Sequence, residues 1–417
     1  MKYRRFFVYG SILVVGAFLG YSGIKLFHNY VNVSLVFYQP GKTLFLQTHS
    51  IKTEPLPLLP DNQINNIILF VGDGMGLAHI TAARAHLVGL DGRLHIERMP
   101  VTGLVATHTV DDLITDSAAS ATALASGIKT TNKSIGVDAT GASHPSILEA
   151  ARDAGLSTGL VTTTHLTDAT PAAFASHVPT RAMKSEIALQ LLQSNVNVLF
   201  GEGEYFYPRK DPRSSRKDDL NPIGIAKELG YTVVDNKQDL RNANSNFILG
   251  LFEDLTTDRL QPELTTSSPS LPELTAKALE VLSSNEKGFF LMVEEEGVDM
   301  GSHVNRADYF IDHLRSLDES VKVGIDFALK DGHTLVIVTA DHETGGLNII
   351  GGSYTDQHLK LVWDTDDHTG SPVPLFAFGP HAVRFTGLKD NTEIPMIMAE
   401  LLKLENFKTT LQCKLKP

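Results

Sequence analysis

From Asn66 onward, short continuous apolar runs alternate with longer stretches in which apolar residues recur at helical spacing. Buried parallel strands read as unbroken apolar runs, and the crossovers between them read as amphipathic helices. The pattern therefore predicts an α/β fold with a central, mostly parallel sheet and helices on both faces. The expected strands are Asn66–Val71, Gly103–Thr107, Ser157–Thr162, Val196–Phe200, Gly288–Val293, Thr334–Thr339 and Leu375–Phe378. Helices are expected over Ser117–Ser126, Pro145–Ala154, Lys184–Gln193, Pro222–Leu229, Leu271–Ser284, Tyr309–Leu329 and Ile394–Leu404. The charged segment 205–221 holds Pro208 and Pro212 and reads as a solvated loop. No internal repeat is visible.

The amino-terminal part follows a different pattern. Lys2, Arg4 and Arg5 precede an apolar run from Phe6 to Leu26, which has the form of an export signal. A bilayer takes about 20 residues to span, so this run predicts an anchor with its basic end in the cytoplasm and the rest of the chain outside. Gly20 and Ser22 leave a cleaved signal as the alternative. Residues 28–60 combine a strand-like Val31–Tyr38 with the Pro-rich Glu54–Pro60 and read as a linker. The expected organisation is thus an anchor or signal over 1–27, a linker over 28–60 and a catalytic domain over 61–417.

With 417 residues and 42% hydrophobic content, the chain can bury one large core or two smaller ones. A net charge of -12 argues against a nucleic-acid partner, whose phosphates need a basic surface. A small anionic substrate would need local cations, from Arg or from metals. Cys413 is the only cysteine, so no intrachain disulfide can form.

Chemistry gathers where the expected strands end, which is where ligands bind in such sheets. The first strand leads into Gly72-Asp73-Gly74, in which Asp73 reads either as a turn residue or as a ligand. The strand from Ser157 leads to Asp168 and Thr170, with Arg181 thirteen residues beyond Asp168; a guanidinium there is a surface charge or a two-oxygen phosphate clamp. Glu294 follows the apolar run Phe289–Val293, and Asp299 and His303, four apart, share a face on a helical turn. Asp341-His342 closes the strand Thr334–Thr339, and His368 precedes the last strand. Carboxylates gathered at one edge would repel one another unless cations neutralised them. Ser117 opens an Ala-rich helix, where it is either an ordinary cap or a nucleophile beside unpaired backbone N–H groups.

In order and spacing, these elements from Asn66 to Leu404 resemble the alkaline phosphatase family. The resemblance implies a phosphomonoesterase in which Ser117 becomes a phosphoserine and Arg181 clamps the phosphate. It also implies two Zn2+, one held by Asp73, Asp341 and His342, the other by Asp299, His303 and His368. A third site of magnesium type would use Asp73, Thr170 and Glu294, with Asp168 beside it through water. Relatives commonly carry Lys, His or Trp after the zinc-binding Asp, whereas this chain has Met300. The expectation is that Asp168, Thr170, Glu294 and Asp73 lie without a nearby protein cation. The short Gly346–His368 segment implies that the extra surface domain of some relatives is absent. A homodimer and the natural phosphomonoester stay undecided.

Two other readings compete. A phosphodiesterase or sulfatase of the same superfamily would share the metal pattern, but Thr115–Ser120 lacks the Pro- and Arg-rich sulfatase motif, and Arg181 suits a terminal phosphate. A membrane-tethered metal- or phosphate-binding protein without turnover would not need Ser117.

Overall fold

The computed structural model describes residues 42–47, 50–253, 255, 268–353, 355 and 357–407. The expected anchor, the Val31–Tyr38 strand and Cys413 lie outside these residues. In chain order the strands are β1 (Lys42–Phe45), β2 (Asn66–Gly72), β3 (Val101–Ala106), β4 (Ser157–His165), β5 (Val198–Glu202), β6 (Thr232–Val234), β7 (Ile248–Phe252) and β8 (Phe289–Glu295). They continue with β9 (Thr334–Thr339), β10 (Glu343–Thr344), β11 (Asn348–Ser353), β12 (His358–Val362), β13 (His368–Thr369), β14 (Val373–Phe378) and β15 (Gly387–Asp390).

Ten of these form one sheet in the order β15-β3-β14-β9-β2-β8-β4-β5-β7-β6. All its pairings are parallel except those of β14 with β9 and β3. Every residue of β2, β8 and β9 is buried, as strands covered on both faces require. Their register is pinned at the amino end by Asn66. Its Nδ2 donates to Asp331 and to Thr334 Oγ1, each at 3.1 Å, while its Oδ1 accepts from Phe289 N at 3.1 Å. Val71 then stands opposite Glu294 on one side and Thr339 on the other, so the residues just beyond these strands emerge together.

The helix Ala307–Asp331 shows how the pattern becomes packing. Phe310, Leu314, Leu317, Val321, Ile325 and Ala328 recur at three- and four-residue steps and are all buried. Each large side chain so placed contributes about 1.5–3 kcal/mol. Gly332 ends the helix at φ 74, a left-handed value that glycine adopts without strain.

The structure departs from the expected pattern in three places. The later part of the expected linker belongs to the fold: β1 pairs with β12 in a three-stranded sheet with β11, and Leu44, Leu46 and Leu56 are buried. Segment 205–221 has no helix or strand, but it is not simply solvated. Phe206 and Tyr207 are buried, and Arg216 reaches inward to donate to Ser185 O and Tyr205 O. Elements the pattern did not mark include β7 and the helix Leu77–Leu87. In that helix buried His79 interrupts the apolar side, so no clean stripe is present to read.

Candidate active site

The helix Ser117–Ser126 is capped by Asp116, not by Ser117. Asp116 Oδ1 accepts from Ala119 N and from Lys133 N, each at 3.0 Å. This leaves Ser117 as the first helical residue with its hydroxyl uncommitted to capping. Its Oγ lies 3.3 Å from His342 Nε2 and 3.4 Å from Arg181 Nη1.

Arg181 stands on a loop tied down by a bridge between Ile135 and Val178 and by its own N–H donating to Lys133 O at 2.7 Å. Its Nη2 donates to Asp168 Oδ1 at 2.7 Å, and its Nη1 lies 3.4 Å from Asp116 Oδ2. Lys184 Nζ reaches the same Asp168 oxygen at 2.9 Å. Burial alone would raise the Asp168 carboxyl, but Lys184 and then Arg181 hold it well below the usual range. The cation-free surroundings expected for Asp168 are therefore corrected: Lys184, the first residue of the helix that follows the Arg181 loop, supplies what Met300 does not. Met300 is itself 41% exposed.

On the other side, Gly72-Asp73-Gly74 turns over the end of β2. Gly74 takes φ 71, and a Cβ there would lie 2.8 Å from the Asp299 backbone, so only glycine lets the two segments approach. His342 Nε2 faces Asp341 Oδ2 at 3.2 Å and Asp73 Oδ1 at 3.5 Å. The pairing of β10 with β13 sets Thr344 opposite His368 and stacks the His368 ring on His342 with centroids 3.5 Å apart. Glu343 holds that corner by accepting from Gly346 N, Leu347 N and the Thr369 hydroxyl. His303 Nε2 meets Asp299 Oδ2 and His368 Nε2, both at 3.2 Å, and Thr344 donates to the other Asp299 oxygen.

The donor atoms of Asp73, Asp341 and His342 lie within 4.8 Å of one another; so do those of Asp299, His303 and His368, and those of Asp73, Glu294 and Glu296. Asp73 Oδ1, Asp341 Oδ2 and Glu294 Oε1 are buried with no hydrogen-bond partner among the described residues. Burial, then neighbouring carboxylates, raises Asp73 well above its ordinary range. Burial likewise lifts Glu294 to about 8 and Asp341 to about 6. Such a group is costly without cations and favourable with them. Two sets combine imidazole with carboxylate, which suits zinc, and the third is all oxygen, which suits a hard ion.

A profile of the alkaline phosphatase family matches residues 64–361 and 351–404. The chain is 35% identical over 414 residues to the alkaline phosphatase of Escherichia coli (strain K12), covering 83% of this chain and 88% of that protein. This chain belongs to the alkaline phosphatase family. It is also 32% identical over 420 residues to alkaline phosphatase 4 of Bacillus subtilis (strain 168), covering 82% and 89% of the two chains. Its fold matches the alkaline phosphatase from the Antarctic bacterium TAB5 with a TM-score of 0.71 at 30% identity, over 82% of this chain and 98% of that one.

In this alkaline phosphatase Asp73, Glu294, Asp341 and His342 stand at the carboxyl ends of the central strands β2, β8 and β9, and contacts run from His342 to Ser117 and His368, from Ser117 through Arg181 to Asp168, and from His368 through His303 to Asp299. Thr170 lies beside Glu294, whose other oxygen accepts from Thr162 Oγ1 at 2.6 Å. Sequence reasoning missed Asp116, Lys184, Thr344 and Glu296. Asp116 is adjacent to Ser117, Thr344 lies two residues beyond His342, and Lys184, three residues beyond Arg181, opens the next helix. Glu296 lies two residues beyond Glu294 and one past the end of β8, where the chain turns into the next helix.

Proposed function

We propose that this alkaline phosphatase hydrolyses phosphate monoesters through a phosphoserine on Ser117, with Arg181 binding two oxygens of the transferred group. The observation that carries this is the convergence of His342 Nε2 and Arg181 Nη1 on the Ser117 hydroxyl, at 3.3 and 3.4 Å. Asp73, Asp341 and His342 would hold one zinc, Asp299, His303 and His368 the other, and Asp73, Thr170 and Glu294 a magnesium. Bound there, the metals would supply Lewis-acid stabilisation of the serine alkoxide, of the leaving oxygen and of the water that follows.

The protein's own part is placement and charge. Ser117 loses its proton and attacks phosphorus, and the P–O bond to the ester oxygen breaks as that oxygen takes up a proton and departs as the alcohol; water then loses a proton and attacks the phosphoserine from the opposite side, the bond to the Ser117 oxygen breaks, that oxygen is reprotonated, and inorganic phosphate leaves. The start of the helix keeps backbone N–H groups and a positive dipole end beside the phosphoryl group. Arg181, fixed by Asp168 and Asp116, presents charge to the non-bridging oxygens without having to reorganise.

A TAB5 alkaline phosphatase variant is described with Mg bound in its M3 site, which supports assigning a magnesium to the third donor set. The basic residues ahead of the apolar run Phe6–Leu26 support a catalytic domain outside the cytoplasmic membrane. Rapid-quench labelling with a phosphomonoester should trap phosphate on Ser117; phosphate on any other residue overturns the assignment.

A further inference from the structure

The resemblance gives the third site Asp73, Thr170 and Glu294, with Asp168 nearby through water. We infer that in this chain Glu296 is a direct ligand of the third cation, while Asp168 is withdrawn from that site and serves the phosphate clamp. The inference rests on the third-site reading above and changes which residues make it.

The first observation is geometric. Oxygens of Asp73, Glu294 and Glu296 fall within 4.8 Å of one another, and no such group includes Asp168 among the described residues. Glu294 and Glu295 are the last two residues of β8, and Glu296 is the first residue past it, at φ -77 and ψ -29 where the next helix begins; Glu295 between the other two turns away from them. There its carboxylate accepts from Thr163 Oγ1 at 2.9 Å, from Gly297 N at 3.2 Å and pairs with His313 Nδ1 at 2.7 Å. A Cβ at Gly297 would lie 2.1 Å from the His313 ring, so the chain turns tightly enough after Glu296 for that pairing to form. With Glu295 committed there, Glu294 and Glu296 are the two of the three glutamates whose oxygens gather with that of Asp73.

The second observation is the unpartnered oxygens. Glu294 is wholly buried; Thr162 holds its Oε2 at 2.6 Å and leaves Oε1 without a hydrogen-bond partner. Asp73, 1% exposed, likewise leaves Oδ1 without one. These two buried atoms belong to side chains whose oxygens meet that of Glu296. The third observation concerns Asp168, where one oxygen receives both Arg181 Nη2 at 2.7 Å and Lys184 Nζ at 2.9 Å. A carboxylate so neutralised has little charge left to offer a divalent ion, and moving toward one would break two charge-assisted hydrogen bonds.

Three carboxylates around one ion select a hard divalent cation of the Mg2+, Mn2+ or Ca2+ class. Glu296 is partly exposed, whereas Asp73 and Glu294 are buried.

The test is calorimetric titration of Mg2+ into the full chain loaded with two equivalents of Zn2+, comparing the parent with Glu294→Gln, Glu296→Gln and Asp168→Asn. Glu294→Gln should abolish Mg2+ binding, Glu296→Gln should weaken it at least tenfold, and Asp168→Asn should change it less than threefold. Parent-like Mg2+ affinity in Glu296→Gln, with binding lost in Glu294→Gln, overturns the inference and leaves the third site standing. Parent-like affinity in both variants overturns the third-site reading itself. Asp168→Asn weakening Mg2+ as much as Glu296→Gln overturns the reassignment of Asp168. Should Glu296→Gln not fold, Glu296→Asp keeps the charge but shortens the reach, and it must weaken Mg2+ with an unchanged Tm for the inference to stand.

Discussion

Two groups of carboxylates flank Ser117, and they solve the same electrostatic problem differently. Around Asp168, protein cations do the work: Arg181 and Lys184 share one of its oxygens, and the carboxyl is held ionised. Around Asp73, Asp341 and Glu294 burial dominates, oxygens lack hydrogen-bond partners, and the carboxyls are pushed upward. The first group is complete as folded and positions a guanidinium. The second is complete only with cations from solution. On the proposed function, a site that handles a phosphate dianion would divide its positive charge between fixed protein cations and metal ions.

The largest expected effect falls on the residue between the two groups. Ser117→Ala should lower turnover at least about 10³-fold, since the covalent route is lost. Inorganic phosphate should still bind within about threefold of the parent, because both charged groups survive. Weakened phosphate binding of the same size as the lost turnover would mean that Ser117 holds the site together instead of reacting in it.

Removing metals should separate the two groups most clearly. Treatment with a chelator should abolish activity and lower Tm by on the order of 10 °C, the scale expected when a ligand bound about 1,000-fold above its Kd is withdrawn. Zinc should restore both. An unchanged Tm in metal-free protein would show that the Asp73 side needs no cation, and the contrast would collapse.

A carboxylate remote from the site sharpens the comparison, because it has neither protein nor metal cation at hydrogen-bond distance among the described residues. Asp318 accepts from His95 N at 3.0 Å and Ile96 N at 2.9 Å, yet burial pushes it up to about 7. Its folded value exceeds the unfolded value of about 3.9, so its contribution is full below that pH and is lost as pH rises through about 7. Between pH 4.5 and 8 the parent should lose about 3 kcal/mol relative to Asp318→Asn in urea unfolding. Equal pH slopes would show that backbone N–H groups alone suffice to ionise a buried carboxyl here.

The smallest effect is expected at Lys184. With Lys184→Met, Asp168 draws more strongly on Arg181 alone, and KM together with the phosphate inhibition constant should rise about threefold while kcat changes less than twofold. A fall in kcat at constant KM would place Lys184 in the chemical step instead of the clamp.

Much of this protein was legible before folding was considered. The strand Thr334–Thr339 and the helices Ser117–Ser126 and Lys184–Gln193 have the bounds their pattern predicts, because a strand buried on both faces must be continuously apolar and a packed helix must end where its periodicity or cap ends. Asp73, Glu294, Asp341 and His342 could be marked as chemistry because each sits at or just beyond the end of such a strand. The distances that bring them within reach of one another were set by tertiary structure. The register of β2 with β8 and β9, set from Asn66 at the far end, brings Asp73, Glu294 and Asp341 together across more than two hundred residues of chain. The two-residue pairing of β10 with β13 lays His368 on His342, and no local pattern announces it. Lys184 lies three residues from Arg181 in sequence, but only the fold turns both toward one oxygen of Asp168. Apolar periodicity is a local consequence of burial and survives in the sequence; charge pairing depends on distances between segments that meet only after the sheet has formed.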